Sequence, residues 1–187
     1  MKKRLYFLFI LSFFLIETAN SQTTIVLQPG PEGKDAYLND YYTTNYGDYP
    51  NAFCMAWTHS GIPFTSRSVF EFDLTSIPPG SIILDARLSL YCASNPSNQT
   101  FHYGDNRAYL QRITEPWDEH EVTWHNQPAT TTENQVELPA SIFETQDYSD
   151  IDISMLIQDM TDDPENSHGI LIKLQVEEMY RSLMFAS

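Results

Sequence analysis

Alternation of apolar and polar positions dominates the chain after residue 22 and predicts β structure. In Ile82-Ile83-Leu84-Asp85-Ala86-Arg87-Leu88-Ser89-Leu90-Tyr91-Cys92 every even position is apolar, while Asp85, Arg87 and Ser89 take the other side. A period of two over this length predicts a strand with one buried and one wetter face, Cys92 pointing inward. Arg67 to Leu74 alternates likewise, with Phe70, Phe72 and Leu74 on one side. Ile77-Pro78-Pro79-Gly80 predicts a turn between these strands, because proline fixes φ and glycine accepts positive φ. The two strands are free to enter different sheets. Ile170, Ile172, Leu174 and Val176 predict another one-sided strand. Shorter strands are expected at 24–27, 36–38, 53–57, 108–113, 121–124 and 183–185.

One segment departs from this period. Ile153, Met155, Leu156, Ile157 and Met160 carry the spacing of a short amphipathic helix, with Asp152 or Ser154 to cap its start. Residues 39–51, 95–106 and 128–136 are polar and predict loops. Many short antiparallel strands with one short helix predict an all-β fold, a jelly-roll type β-sandwich occupying a single domain over 22–187.

The first residues change the picture of where this domain works. Lys2, Lys3 and Arg4 precede an apolar run from Leu5 to Ile16, with small Ala19 and Ser21 before Gln22. That predicts a signal peptide over 1–21 and a secreted product, extracellular or on the cell surface; the run is too short to span a bilayer, so membrane insertion is not expected. The chain's net charge is −15, and cleavage would remove three of ten basic and one of 25 acidic residues, leaving seven against 24. Phosphate binding needs basic contacts, so nucleic acid and anionic lipid are excluded as partners; neutral glycans and Ca²⁺ stay open. Cys54 and Cys92 allow one disulfide or two free thiols.

The densest chemistry is Trp117-Asp118-Glu119-His120-Glu121-Val122-Thr123-Trp124-His125-Asn126-Gln127-Pro128. His120 and His125 are five apart, which puts them on opposite faces of a strand and fits no helical metal motif. Glu119 and Glu121 share a face, but glycosidic chemistry needs two carboxyl groups across a cleft. No GxSxG, SxxK or glycine-rich phosphate loop occurs, so no enzyme is expected. Val122 and Trp124 are read as core plugs, with Trp117 over one end of the sandwich.

This run resembles the W-x-E-x-x-V-T-W-x-x-x-P signature of DNRLRE domains, also classed as carbohydrate-binding module family 96. Asp35-Ala36-Tyr37, Asn45-Tyr46-Gly47, Arg67 to Leu74 with Ile77-Pro78-Pro79-Gly80, Leu88 to Tyr91, Ile151 to Gln158, His168-Gly169-Ile170 and Phe185-Ala186-Ser187 resemble further segments in the family's order. The resemblance covers roughly residues 24–187. It implies a secreted sandwich that binds carbohydrate without catalysis. Some members bind alginate, a polyanion to which seven basic residues are poorly suited. Family members also continue past the F-x-S segment, so the resemblance predicts a missing last strand and an edge that a partner chain or domain could complete.

Sugar stacking uses flat ring faces with polar tips, and Tyr41, Tyr42, Tyr46 and Tyr49 crowd one loop. These four and Trp117 are the candidate carbohydrate ligands. Asp35, Asn45, Asp48 and Asp73 are candidate oxygen ligands for a structural Ca²⁺. Arg67 and Arg181 are expected to pair with Asp35 or Asp73 and hold strands together. Two functions follow: a module targeting a polysaccharide, or an adhesive surface module binding protein.

Overall fold

The computed structural model describes residues 22–28, 33–93 and 101–186. The expected signal peptide at 1–21, the first part of the 95–106 loop and Ser187 lie outside the described residues. Nine strands and one α-helix are present among them: β1 (Lys34–Asn39), β2 (Asn51–His59), β3 (Ile62–Glu71), β4 (Arg87–Leu90), β5 (Ala108–Ile113), β6 (Thr130–Leu138), β7 (Tyr148–Asp152), α1 (Ser154–Asp162), β8 (Ile170–Leu174) and β9 (Arg181–Ala186).

All pairings are antiparallel. The main sheet runs β6-β5-β8-β3-β2-β9 with β1 beside β3, and β4 pairs with β7 in a second sheet. β3 changes partner along its length. Ile62 to Ser66 pairs with β2, and Ser68 to Phe70 pairs with β8. Where β2 leaves, the buried Ser68 hydroxyl donates to the Phe53 carbonyl at 2.9 Å. Met55 faces Ser66 and Ile172 faces Ser68 in register, yet it is Cys54 and Ala56, not Met55, that share a core with Ile172. The sheet therefore curls back on itself at β3, and its two halves close over one interior. Cys54 and Ala56 of β2, Leu183 and Phe185 of β9, Leu110 of β5 and Ile170, Ile172 and Leu174 of β8 fill it. Leu88, Tyr148 and the α1 residues Leu156, Ile157 and Met160 complete it.

The β2–β3 hairpin turns on Ser60 (φ 50°) and Gly61 (φ 82°), the two positive-φ positions of a two-residue hairpin loop. Between Met55 and Ser66 on this hairpin, Trp57 stands directly opposite Phe64.

Several expected elements are different. The 24–27 segment is exposed and forms no strand. In the 82–92 run only Arg87 to Leu90 is strand; Ile82 is 80% and Leu84 70% exposed. There the backbone is captured by α1: Ile83 N–H donates to Gln158 Oε1 at 2.7 Å and Ala86 N–H to Ser154 Oγ at 2.9 Å. Ile83 packs on the core instead of its even neighbours. The predicted strand at 121–124 is a turn followed by a 3₁₀ helix at Trp124–Asn126. The predicted loop at 128–136 is largely the polar strand β6, and Val176 lies outside β8, exposed. α1 starts one residue after Ile153, and Asp152 Oδ1 accepts from Ser154 N–H at 3.0 Å. Cys54 and Cys92 are free thiols. On the side of β9 away from β2, Tyr103 exchanges two 2.9 Å bonds with Ser182, and Ala186 N–H donates to Tyr91 at 2.8 Å. No helix among the described residues is long and apolar enough to cross a membrane.

Candidate functional site

The tyrosine-rich loop is built by its polar residues. Asn39 Oδ1 accepts from Tyr41 N–H at 2.8 Å, and Asp40 Oδ1 accepts from Thr65 N–H at 2.7 Å. Further along, Asn45 Nδ2 donates to the carbonyls of Glu119 (2.7 Å) and Val122 (2.8 Å), and its Oδ1 accepts from Gly47 N–H. Gly47 lies so close to the Glu119 carbonyl that a methyl group would overlap it. The loop is thus clamped onto the Trp117–Pro128 stretch.

That clamp decides which tyrosines are available. Tyr46 stacks on Tyr37 with centroids 4.1 Å apart, and Tyr49 meets Tyr37 edge-on at 5.2 Å. Burial and the hydrogen bond to Tyr46 push the Tyr37 phenol well above its ordinary value. Tyr41 packs at 4.6 Å from Tyr42 and 5.3 Å from His59, and Tyr42 alone of the four candidates is exposed.

Tyr42 stands over a shallow groove of about 330 Å³ on β1, β2 and β3. Tyr37, Phe53, Trp57 and Phe64 supply its other rings, with Met55 among them. Asn39, Thr58, His59 and Ser66 supply polar groups, and none of the lining residues is Lys, Arg, Asp or Glu. Asn39 Nδ2 and Ser66 Oγ are bonded at 3.0 Å, while the Tyr42 hydroxyl lies 3.4 Å from His59 Nε2. Such a groove can stack flat apolar ring faces and exchange hydrogen bonds with hydroxyl groups. Beyond it Trp57 meets Tyr103 at 5.5 Å and Tyr180 at 5.1 Å, both at 89°, and these two tyrosines are exposed. Sequence reasoning missed Tyr37, Trp57, His59 and Phe64. The signal was present in Phe53, Met55, Trp57 and His59, a second alternating set on the strand whose other set forms the core.

Trp117 is corrected from sugar ligand to core residue. It is 9% exposed and packs with Leu38, Val69, Ile113 and Val122. Its indole N–H donates to the His168 carbonyl at 2.8 Å, and Lys34 Nζ lies 4.5 Å over the ring. Of the four proposed calcium ligands, Asp35, Asp48 and Asp73 belong to no metal-holding group of His, Cys, Asp or Glu side chains among the described residues. The Thr75 side chain and N–H both bond to the Asp73 carboxyl and hold it below its ordinary value; Asp48 is exposed; Asn45 spends its amide on the loop clamp. The Asp35 backbone N–H donates to Glu119 Oε1 at 3.0 Å. Among the described residues no three His, Cys, Asp or Glu side chains gather as a metal site. The expected arginine partners are also replaced: Arg67 pairs with Glu177, and Arg181 with Glu178 and Asp105.

Against this geometry the comparison with protein families gives one clear result. The model of the family described as carbohydrate-binding module family 96 matches residues 29–187. No curated protein matches the chain.

Proposed function

This chain belongs to carbohydrate-binding module family 96, and from that membership we propose that it is an exported, non-catalytic module holding a polysaccharide against the aromatic groove of β1, β2 and β3. The carrying observation is the convergence of Tyr37, Tyr42, Trp57 and Phe64 with the polar groups of Asn39, Thr58 and His59 on one open surface. Ring stacking supplies affinity, and hydroxyl contacts at the margin supply orientation. Binding needs no proton transfer, and the module leaves the polymer intact.

The test is retention of the protein on immobilised polysaccharides, with Tyr42→Ala and Trp57→Ala compared with the parent. Retention lost in both variants, without release of reducing ends from the polymer, is the expected result. Retention on none of a broad polysaccharide set defeats the proposal. Export is tested separately by expressing the full chain and determining the N-terminus of the protein outside the cell, expected at Gln22.

A second reading, adhesion to protein, is favoured by exposed Ile82, Leu84, Ile142 and Phe143. Polysaccharide retention that survives Ile82→Ser and Phe143→Ser separates the two.

A further inference from the structure

We propose that the groove takes an uncharged glycan chain and rejects polyuronates. This rests on the reading of the groove as the glycan site and adds the class of ligand. Two independent features carry it. The first is the lining, which offers rings, hydroxyls, an amide and an imidazole but no ammonium, guanidinium or carboxylate side chain. A uronate bound there would give up hydration of its carboxylate and gain no opposite charge, a cost that recognition of anions ordinarily offsets with arginine or lysine.

The second feature is where the cations are. Each arginine among the described residues is already committed to a carboxylate: Arg67 to Glu177, Arg87 to Asp85, Arg107 to Asp105, Arg112 to Glu133 and Arg181 to Glu178. Lys34 is held by Glu71 at 2.9 Å and by the Trp117 carbonyl at 2.7 Å. Lys173 on β8 has no such pair among the described residues, but it is not among the residues that line the groove; every other described lysine or arginine would have to break a pair to reach a polyanion lying there. The surrounding chain carries −15 overall, so long-range steering also repels such a polymer. An uncharged pyranose chain needs none of this. Its ring faces can lie on Trp57 and Tyr42, and the strip continues past the groove to Tyr103 and Tyr180.

The test is frontal affinity chromatography of the full chain on columns carrying a β-glucan, a mannan, a galactan, alginate or polygalacturonate. Each column is run at about 20 and about 300 mM NaCl, spanning strong and weak screening. Retention on at least one uncharged polymer is expected, changing less than about twofold between the two salts. Tyr42→Ala or Trp57→Phe should weaken it roughly tenfold, and these two variants preserve the fold should Trp57→Ala not. Retention on a polyuronate that falls with salt overturns the inference while leaving carbohydrate binding intact. So does retention on an uncharged polymer that both groove variants leave unchanged. Retention on none of the five columns overturns both the inference and the reading beneath it.

Discussion

The guanidinium of Arg67 lies 4.6 Å over the ring of Trp124. Its Nε and Nη2 meet the two oxygens of Glu177 at 2.7 and 2.9 Å, and its Nη1 donates to Gln127 Oε1 at 2.8 Å. One side chain therefore ties β3 to the Trp117–Pro128 stretch and to the segment after β8. The planar, forked charge suits both tasks at once: it can stack on an indole and bind a carboxylate through two parallel bonds.

Arg67→Lys is expected to be a damaging substitution even though it keeps the charge. Lysine gives up the fork and the stack, and it leaves Glu177 and Gln127 incompletely bonded in a partly buried setting. A loss of roughly 1–3 kcal/mol is expected, read as a lower urea midpoint. A midpoint equal to the parent's would mean that charge alone matters at this position.

Gly47→Ala tests the loop clamp. An alanine methyl would overlap the Glu119 carbonyl, and both the Glu119 backbone and Asn45's bond to it would have to move. A destabilisation of about 1–3 kcal/mol is expected. Displacing the clamp also shifts Tyr46 from Tyr37 and disturbs Tyr42 beside them. Polysaccharide retention should therefore fall at temperatures where the variant remains folded by circular dichroism.

The sequence carried the interior of this fold better than its surface. Alternation found the Phe70 end of β3, whose apolar face joins the core with Phe72 and Leu74, and β8, where Ile170, Ile172 and Leu174 enter that same core. It misread 82–86, where apolar Ile82 and Leu84 stay exposed because Gln158 and Ser154 of α1 hold the backbone away from any ladder. It misread β6 in the opposite sense. Thr130 to Leu138 has no buried residue except Leu138, so polarity there marks a solvent-facing strand rather than a loop. The candidate site was half legible. Tyr42 was found through loop composition, whereas Trp57 stood out only as the end of an expected strand and Phe64 not at all, since no local pattern says that β3 will change partners and open β2's outer face. Trp117 erred the other way: an aromatic in a polar stretch looks available, and only tertiary packing on Leu38, Val69, Ile113 and Val122, with Lys34 over the ring and the His168 carbonyl on the indole N–H, buries it.

The cysteines should differ in reactivity. Cys54 is fully buried in the main core, and burial raises its thiol well above the usual value. Cys92 is partly exposed, with a pKa raised by burial and by nearby Asp147. The thiolate is the reacting form, so both should be slow, with Cys92 labelled first by a thiol reagent in the native state and Cys54 only on unfolding. Equal native rates would contradict this arrangement, and mass analysis of the unreduced protein should find both thiols free.

His102 should make stability depend on pH. It is buried, its Nε2 lies 2.9 Å from the Gln146 carbonyl, and its Nδ1 accepts from Met184 N–H at 3.1 Å. That pair of bonds fixes the neutral Nε2–H tautomer, since a proton on Nδ1 would point at another donor. Burial lowers the folded pKa below the ordinary 6.5, opposed in part by the Gln146 bond and Asp147. The unfolded chain then binds the proton first as pH falls. Stability from this group is complete above pH 6.5 or so and declines as pH drops through that value toward the lower folded one, at up to about 1.4 kcal/mol per pH unit. Asp73, Asp105 and Asp152, whose carboxyls are lowered by bonds to Thr75, Arg107 and Ser154 respectively, act in the same direction but only near and below the ordinary value of 3.8. The two windows are therefore separable. His102→Phe is expected to lose stability at about pH 7.5, because the Gln146 carbonyl and Met184 N–H lose their partner, yet to vary less between about pH 7.5 and 5 than the parent. Urea midpoints at both pH values measure this, and a parent whose pH dependence matches that of His102→Phe would show that some other group titrates in this range.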